Sequence, residues 1–142
     1  MEPTALAWAC AQAMLAQDAA SQSLGLEIEA MGPGRAVVAM VAGERMVNGH
    51  GTVHGGMIFT LADSAFAFAC NARNVATVGQ SCTITYLTPA RLGERLVATA
   101  TEIASAGRNG IYDVSVTAGD GRTVASFRGQ SAALKSSVLP ES

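Results

Sequence analysis

The sequence has few charged residues and few cysteines, and each shortage excludes a class of protein. Aspartate, glutamate, lysine and arginine make up only 14% of the 142 residues, and the formal net charge is −2. The chain therefore has no basic face for nucleic acid and no acidic tail. The three cysteines are odd in number and lack C-x-x-C spacing; they are Cys10, Cys70 and Cys82. We interpret them as small buried hydrophobic residues of a reducing compartment.

Basic residues are also missing from the N-terminus, where a secretory signal would need them. No lysine or arginine occurs before Arg35, whereas a signal peptide has a basic region ahead of its apolar run. The most apolar stretch, 55–72, contains Thr60, Asp63 and Ser64, which a lipid-facing span would avoid. We therefore predict a cytoplasmic protein without a membrane span.

The order of helical and strand patterns predicts one α+β domain over residues 1–142. A chain of this length can bury a core without metal or disulfides. The short loops late in the chain favour an antiparallel sheet wrapped on one long helix. The predicted elements are an N-terminal helix at about 4–20, a hairpin of strands near 24–30 and 36–41, a central helix from 55 to near 71–74, and strands at 77–88, 95–103, 111–118 and 123–134, within a core of about 24–134.

Asp63 occupies an unusual position in the predicted central helix. It is the only carboxylate between residues 55 and 72, and its neighbours are apolar or small. Burying an unpaired carboxylate costs several kcal/mol, so Asp63 must meet a partner or face a wet cavity. An ion pair with Arg73, Arg91 or Arg95 would satisfy the first alternative. Catalysis would satisfy the second.

A glycine-rich loop containing both histidines precedes this helix. His50 and His54 have the spacing of a zinc pair, but that pair lies on a helix with a glutamate after the first histidine. Here glycine, threonine and valine lie between them, and no third cysteine or glutamate ligand is close in sequence. A Ser-His-Asp arrangement would have only these two histidines to draw on. We expect neither a metal site nor such a triad.

Gly55 and Gly56 lie where the central helix would begin. Without a Cβ, they let a ligand approach the first-turn N–H groups, where the helix dipole favours an oxygen that gains negative charge. Such amides could polarise a carbonyl group. A tight turn that merely requires glycine is the alternative interpretation.

Three motifs follow one another in the chain. From Asn48 it reads N-G-H-G-x-x-H-G-G-x-x-x-x-L-A-D, then S-A-F-A-F-A-C-N, and from Cys82 C-T-I-x-Y-L-x-P-A. In these motifs the chain resembles the hotdog-fold acyl-CoA thioesterases of the PaaI type, over about residues 24–131. The resemblance implies a hotdog fold, dimers whose sheets join edge to edge, often homotetramers, and an acyl-CoA substrate. It implies no cofactor, since coenzyme A is part of the substrate.

The resemblance also implies roles for particular residues. Asp63 matches the family's catalytic carboxylate, which activates water or attacks the thioester carbonyl. Gly55 matches the residue whose N–H polarises that carbonyl, and Asn48 and His54 match side chains that help hold the carbonyl oxygen or the thioester. Contacts with the substrate or its coenzyme A are expected at Gly56, Thr88, Arg91 and Arg108.

The resemblance leaves the roles of two positions open. Phe66 is a candidate for an aryl-binding pocket, although plain core packing explains it equally well. Some relatives have a serine that orients the attacking water, and Gly79 stands at the matching position. Gln80 or Ser81 would replace that serine only if the strand register shifts.

Helix geometry gives a separate argument for a dimer. Gly55 and Asp63 are eight residues apart, so one straight helix separates them by roughly 12 Å. One carbonyl group cannot contact both. If both act on one thioester, they come from different subunits, with each active site at an isologous interface.

We therefore predict hydrolysis of acyl-CoA thioesters, with phenylacetyl-CoA or its ring-hydroxylated relatives favoured by the resemblance. The alternatives are a thioesterase for another aryl or medium-chain acyl-CoA, or a non-catalytic acyl-CoA-binding protein. A hotdog dehydratase would need a proline-glycine pair after its histidine, which His54 lacks. A purely structural domain would not need a carboxylate among apolar helix residues.

Overall fold

In the computed structural model, which describes residues 1–141, six antiparallel strands form one sheet that curves around a long helix. The predicted α+β class is confirmed. The elements, in chain order, are α1 (Pro3–Ala16), α2 (Ala19–Ser23), β1 (Glu27–Gly32), β2 (Arg35–Val41), α3 (Gly55–Cys70), β3 (Thr77–Tyr86), β4 (Arg95–Ala106), β5 (Asn109–Ala118) and β6 (Thr123–Ala133). No helix within residues 1–141 is long and apolar enough to cross a membrane.

The N-terminal segment forms two helices rather than the single predicted helix at 4–20. The break occurs because the Asp18 side chain accepts a hydrogen bond from the Ser21 N–H and so caps the start of α2. Small residues of α1, namely Ala7, Cys10 and Ala11, are its fully buried face. Trp8 is only partly buried. The segment packs against β1 and α3 as a cover.

The strands lie in the order β1-β2-β4-β5-β6-β3. A two-residue turn with Gly107 at φ 60° joins β4 and β5, so both strands extend further than predicted. β3 lies at one edge of the sheet, where it pairs with β6 and not with β4, the next strand in the chain. Most residues of β3 are exposed and none is buried. One long strand edge is therefore open in the protomer.

The core lies between α3 and the concave face of the sheet. Phe66 is 1% exposed and packs over β6, where a Cβ on Gly129 would lie only 2.7 Å from its ring. Only glycine fits this close approach. The opposite face of the sheet carries hydroxyl side chains, and Thr101 and Ser115 are exposed there.

A bulge shifts the register of β3. Gly79 pairs with Ser131, and Ser81 pairs with Gln130, which leaves Gln80 without a partner in the ladder. A Cβ on Gly79 would lie 3.1 Å from the Phe66 ring, so this position faces the core. Cys82, three residues later, faces Asp63.

Candidate active site

The loop before α3 is ordered by the side chain of Asn48. Its Oδ1 accepts hydrogen bonds from the His50 N–H (2.9 Å), the Thr52 N–H (3.3 Å) and the Thr52 hydroxyl (3.1 Å). This is the turn that asparagine favours by bonding to the backbone ahead of it. Because the oxygen is occupied, Asn48 has only its amide nitrogen to offer a ligand.

His54 caps the N-terminus of α3. Its Nδ1 accepts a hydrogen bond from the Gly56 N–H at 3.0 Å, and its backbone N–H donates to the Met46 carbonyl at 2.7 Å. A nitrogen that accepts this bond carries no proton, so the proton of the neutral ring lies on Nε2. The exposed ring therefore presents an N–H donor outside the helix. In this conformation the Gly56 N–H is already bonded to His54 and is not free to donate to a ligand.

Gly55 is the first residue of α3, and its surroundings explain why it is glycine. The Tyr86 hydroxyl donates to the Gly55 carbonyl at 2.8 Å, and a Cβ on Gly55 would lie 3.0 Å from Cζ of Tyr86. The Gly55 N–H has no acceptor within residues 1–141. It is therefore free to donate to a ligand, at the positive end of the helix dipole. The sequence analysis did not predict this contact of Tyr86.

A cavity of about 360 Å³ lies beside this end of the helix. Its walls are the glycine-rich loop, the first turn of α3 and the chain that follows β3, including Tyr86 and Thr88. Arg91 pairs through its backbone with Thr52, and its side chain is exposed. Arg108 lies elsewhere, in the β4–β5 turn, where its Nε donates to the Ala133 carbonyl at 3.0 Å. Within one protomer, Thr88 lines this cavity and Arg108 does not.

Asp63 lies two turns further along α3 and is partly buried. It forms no ion pair within residues 1–141, since Arg73 pairs with Glu102 and Arg95 pairs with Glu29. The ion-pair alternative is therefore wrong. Burial raises the pKa of Asp63, and the negative charge of Asp18 raises it further. The structure thus holds a carboxylate that is destabilised when ionised, which suits a base.

The thiol closest to Asp63 belongs to Cys82, whose Sγ lies 4.0 Å from Oδ1. Burial raises the pKa of Cys82, and it raises the pKa of Cys70 to about 12. Both side chains are therefore neutral thiols and weak nucleophiles at neutral pH. Within residues 1–141, no three histidine, cysteine, aspartate or glutamate side chains are grouped so that they could hold a metal ion.

Two further residues near Asp63 have roles that the structure makes specific. Phe66 lies in the core among Tyr112 and Phe127, with ring centroids 5.6 and 5.8 Å away, so its packing role is the one that the structure shows. Asp18, which the sequence offered only as part of a helix, acts on Asp63 through its charge. The aspartate itself was the available signal for a helix start at this point, because aspartate is a favoured N-cap residue.

Known proteins are similar to this chain in both sequence and fold. Residues 50–125 match the family model described as thioesterase superfamily. Acyl-coenzyme A thioesterase PaaI of Escherichia coli K12 is 42% identical over 95% of this chain and 96% of its own length. The solved structure of the E. coli PaaI protein from the phenylacetic acid degradation operon superposes with a TM-score of 0.92 at 41% identity, covering 94% of this chain and 97% of that one.

A second solved structure is more distant. It is a variant of the phenylacetic acid degradation protein PaaI from Thermus thermophilus, with a TM-score of 0.79 and 39% identity, covering 82% of this chain and all of its own. These similarities include the loop, α3 and the sheet. They confirm the predicted hotdog arrangement.

Proposed function

The chain belongs to the thioesterase superfamily, with a hotdog fold, and from this premise we propose that it hydrolyses acyl-CoA thioesters of aryl-acetic acids. The observation that carries the proposal is the pairing of a free amide with an unpaired carboxylate on one helix. The Gly55 N–H has no acceptor, and Asp63 has no cationic partner, within residues 1–141. A helix built only for packing requires neither.

The mechanism follows from what each group can do. The thioester oxygen accepts from the Gly55 N–H, which binds it more tightly as negative charge develops in the transition state. The Nε2–H of His54 is a second donor at the same end of α3. Asp63 takes a proton from water as the water oxygen attacks the carbonyl carbon, or attacks that carbon itself to form a mixed anhydride that water then opens. The carbon–sulfur bond breaks, and coenzyme A leaves as its thiolate. No further cofactor is needed for these steps.

If Gly55 and Asp63 act on one thioester, the length of the helix between them supports two groups that come from different subunits. α3 is continuous from Gly55 to Cys70, so about 12 Å of helix separates Gly55 from Asp63. The open edge of β3 offers a strand that a second copy can extend, and Asp63 lies under this strand beside Cys82. A homodimer joined at β3 would bring one subunit's Asp63 towards its partner's Gly55. Pairing of two such dimers would give a homotetramer.

The phenylacetyl group is supported by the relatives. The E. coli and T. thermophilus proteins carry the name PaaI, and both are described by phenylacetic acid degradation. Ring-hydroxylated phenylacetyl-CoA has the same thioester and nearly the same shape. We propose these esters ahead of benzoyl and medium-chain acyl-CoA.

Thiol release with a thiol-reactive dye tests the proposal. Phenylacetyl-CoA, a hydroxyphenylacetyl-CoA, 4-hydroxybenzoyl-CoA and octanoyl-CoA are compared at equal concentrations for wild type and Asp63→Asn. We expect the arylacetyl esters to have the highest kcat/KM, and we expect this activity to vanish in the variant. If none of the esters is hydrolysed although they bind, the protein is an acyl-CoA-binding protein and the proposal fails.

The shared active site has its own test in mixed dimers. Gly55→Pro removes the N–H donor, and it suits the backbone because proline is favoured at the first helical position and His54 has ψ 133°. Gly55→Ala keeps the N–H and meets the same Tyr86 ring, so it controls for crowding. Relative to Gly55→Ala, Gly55→Pro should lose about 10²–10³ in kcat, as oxyanion donors do.

Unfolding together and refolding Gly55→Pro with Asp63→Asn should restore activity. In a mixed dimer one site has both intact groups and the other has neither, so each mixed dimer should reach about half the wild-type rate if sites straddle a two-fold interface. No recovery, with mixed dimers shown by mass spectrometry, would place both groups in one subunit.

A further inference from the structure

A chain of hydrogen bonds joins the N-terminal segment to the turn of α3 that carries Asp63. The Asp18 carboxylate accepts from the Ser21 N–H at 2.9 Å and from the Ser21 hydroxyl at 2.6 Å. The Ser21 hydroxyl lies 2.9 Å from the hydroxyl of Ser64, the residue after Asp63. Ser21 and Ser64 are only 1% and 8% exposed. Water therefore has little access to this contact.

The direction of these bonds is fixed by the protons available. Ser21 has one hydroxyl proton, and an ionised Asp18 can only accept, so that proton goes to Asp18. Ser64 must then donate to Ser21. A serine within a helix often turns its hydroxyl to the carbonyl four residues earlier, but Ser64 bonds to the α2 segment instead. The chain from Ser64 through Ser21 fixes the Asp18 carboxylate relative to α3.

Asp18 is the charged group that acts on Asp63 within residues 1–141. Repulsion between the two carboxylates opposes ionisation of Asp63, in addition to burial. The other titratable groups that interact with Asp63 are the thiols of Cys82, on β3, and Cys70, on α3 itself. Burial raises the pKa of both thiols, so they remain neutral and do not offset the charge of Asp18.

We propose that Asp18 is a positioning residue for hydrolysis: the Asp18–Ser21–Ser64 chain holds a second carboxylate against the turn of α3 that carries Asp63, so that its charge acts on the Asp63 carboxylate. The inference rests on the proposed function, because it takes Asp63 as the base or nucleophile. In either role Asp63 loses negative charge on the way to the transition state, so its repulsion from Asp18 falls as the reaction proceeds. An unfavourable interaction that is relieved in the transition state accelerates the chemical step.

The Asp18→Asn variant tests the role of the charge. Asparagine caps a helix about as well as aspartate, so α2 should still form. Glu27→Gln is the control, because it removes the same charge from an exposed position on β1. We expect the acid limb of the kcat/KM profile to move to lower pH in Asp18→Asn. The rate above the limb should fall on the order of threefold to tenfold, since a weaker base transfers protons more slowly. Glu27→Gln should match wild type in both respects.

A second variant and a direct titration separate the possible causes. Ser64→Ala keeps both carboxylates and cuts the chain, so the limb should shift in the same direction by less. The Asp63 carboxyl, followed by carbon-13 NMR without substrate, should titrate at lower pH in Asp18→Asn than in wild type. If Asp18→Asn lowers the melting temperature but leaves the acid limb of the kcat/KM profile and the titration of Asp63 unchanged, Asp18 is only a helix cap and the inference is overturned. If the titration shifts but wild type hydrolyses no thioester, the proposed function fails and the coupling of the two carboxylates stands.

Discussion

Asp63 on α3 and Asp113 on the outer face of the sheet show how differently one fold treats two aspartates. Asp113 is partly exposed, and Arg128 donates to both of its oxygens at 2.6 and 2.8 Å. Hydrogen bonding to Arg128 lowers the pKa of Asp113. Asp63 pairs with no arginine, its one side-chain contact is the Cys82 thiol, and burial together with the charge of Asp18 raises its pKa.

The difference shows that missing pairing, in addition to burial, distinguishes Asp63 from Asp113. The sheet face satisfies its charges locally, because Asp113 and Arg128 are directly opposite each other on neighbouring strands. Around Asp63 the helix offers alanines and phenylalanines instead. A sequence under selection for stability alone would have little reason to keep an aspartate there.

The largest expected effect is on turnover. Asp63→Asn should reduce kcat/KM for phenylacetyl-CoA by about 10²–10⁴ or more, because it removes the proton acceptor. Asp113→Asn should change it by less than about twofold, as expected for a surface position remote from the chemistry. Thiol release from both purified variants, with circular dichroism to verify the fold, measures this contrast. Near-normal turnover in Asp63→Asn would remove Asp63 from the mechanism.

Thermal stability should change in opposite directions for the same two variants. A raised pKa means that ionised Asp63 destabilises the folded state as pH rises through that pKa, so Asp63→Asn should melt above wild type at pH 8. A lowered pKa means that ionised Asp113 stabilises the fold, so Asp113→Asn should melt below wild type at pH 8. Its free energy of unfolding should be lower by at most about 1 kcal/mol, because the pair is exposed.

Melting curves across pH check these signs. For Asp63 the difference should shrink as pH falls through its raised pKa towards the ordinary aspartate value, whereas for Asp113 it should shrink only as pH falls below that ordinary value towards its lowered pKa. A lower melting temperature for Asp63→Asn at pH 8 would show that Asp63 is satisfied in the folded state.

The smallest effect is expected from making Asp63 more like Asp113. Cys82→Ser replaces the thiol 4.0 Å from Asp63 with a hydroxyl, which is a stronger donor to a carboxylate. The pKa of Asp63 should then fall, and the acid limb of the kcat profile should move to lower pH. Thr83→Ser, on the next residue of β3, is the control and should leave the limb in place. A limb that moves equally in both variants would contradict a specific contact between Cys82 and Asp63.

Much of the fold was predictable because its patterns are local. The periodicity of β1 and β2 and the mostly apolar run of α3 predicted the bounds of each element to within a few residues. The break at Asp18 was missed, because an alanine-rich segment favours one helix on propensity alone. The pairing of β3 with β6 was also missed, because no local pattern specifies which distant strand closes the sheet.

The candidate site was predictable to a similar degree. The histidines, glycines and Asp63 are close in sequence, and their motif was visible. Two contacts were not predictable in this way: the Tyr86 hydroxyl donates to the Gly55 carbonyl, and the Gly56 N–H donates to His54. Both depend on which donors and acceptors the three-dimensional packing brings within bonding distance. Neither can be read from residue type.

The position of β3 in the sheet also has a consequence for folding order. β4, β5 and β6 follow one another and pair with their neighbours, so they can assemble through short turns. β3 must wait for β6, which is made two strands after β4, and in the protomer it has one partner instead of two. In a separate protomer its amides should therefore exchange with solvent earlier than those of β5. Since β3 carries Cys82 and Tyr86, we expect the candidate site to form late during folding and to become more stable when a second copy pairs with β3.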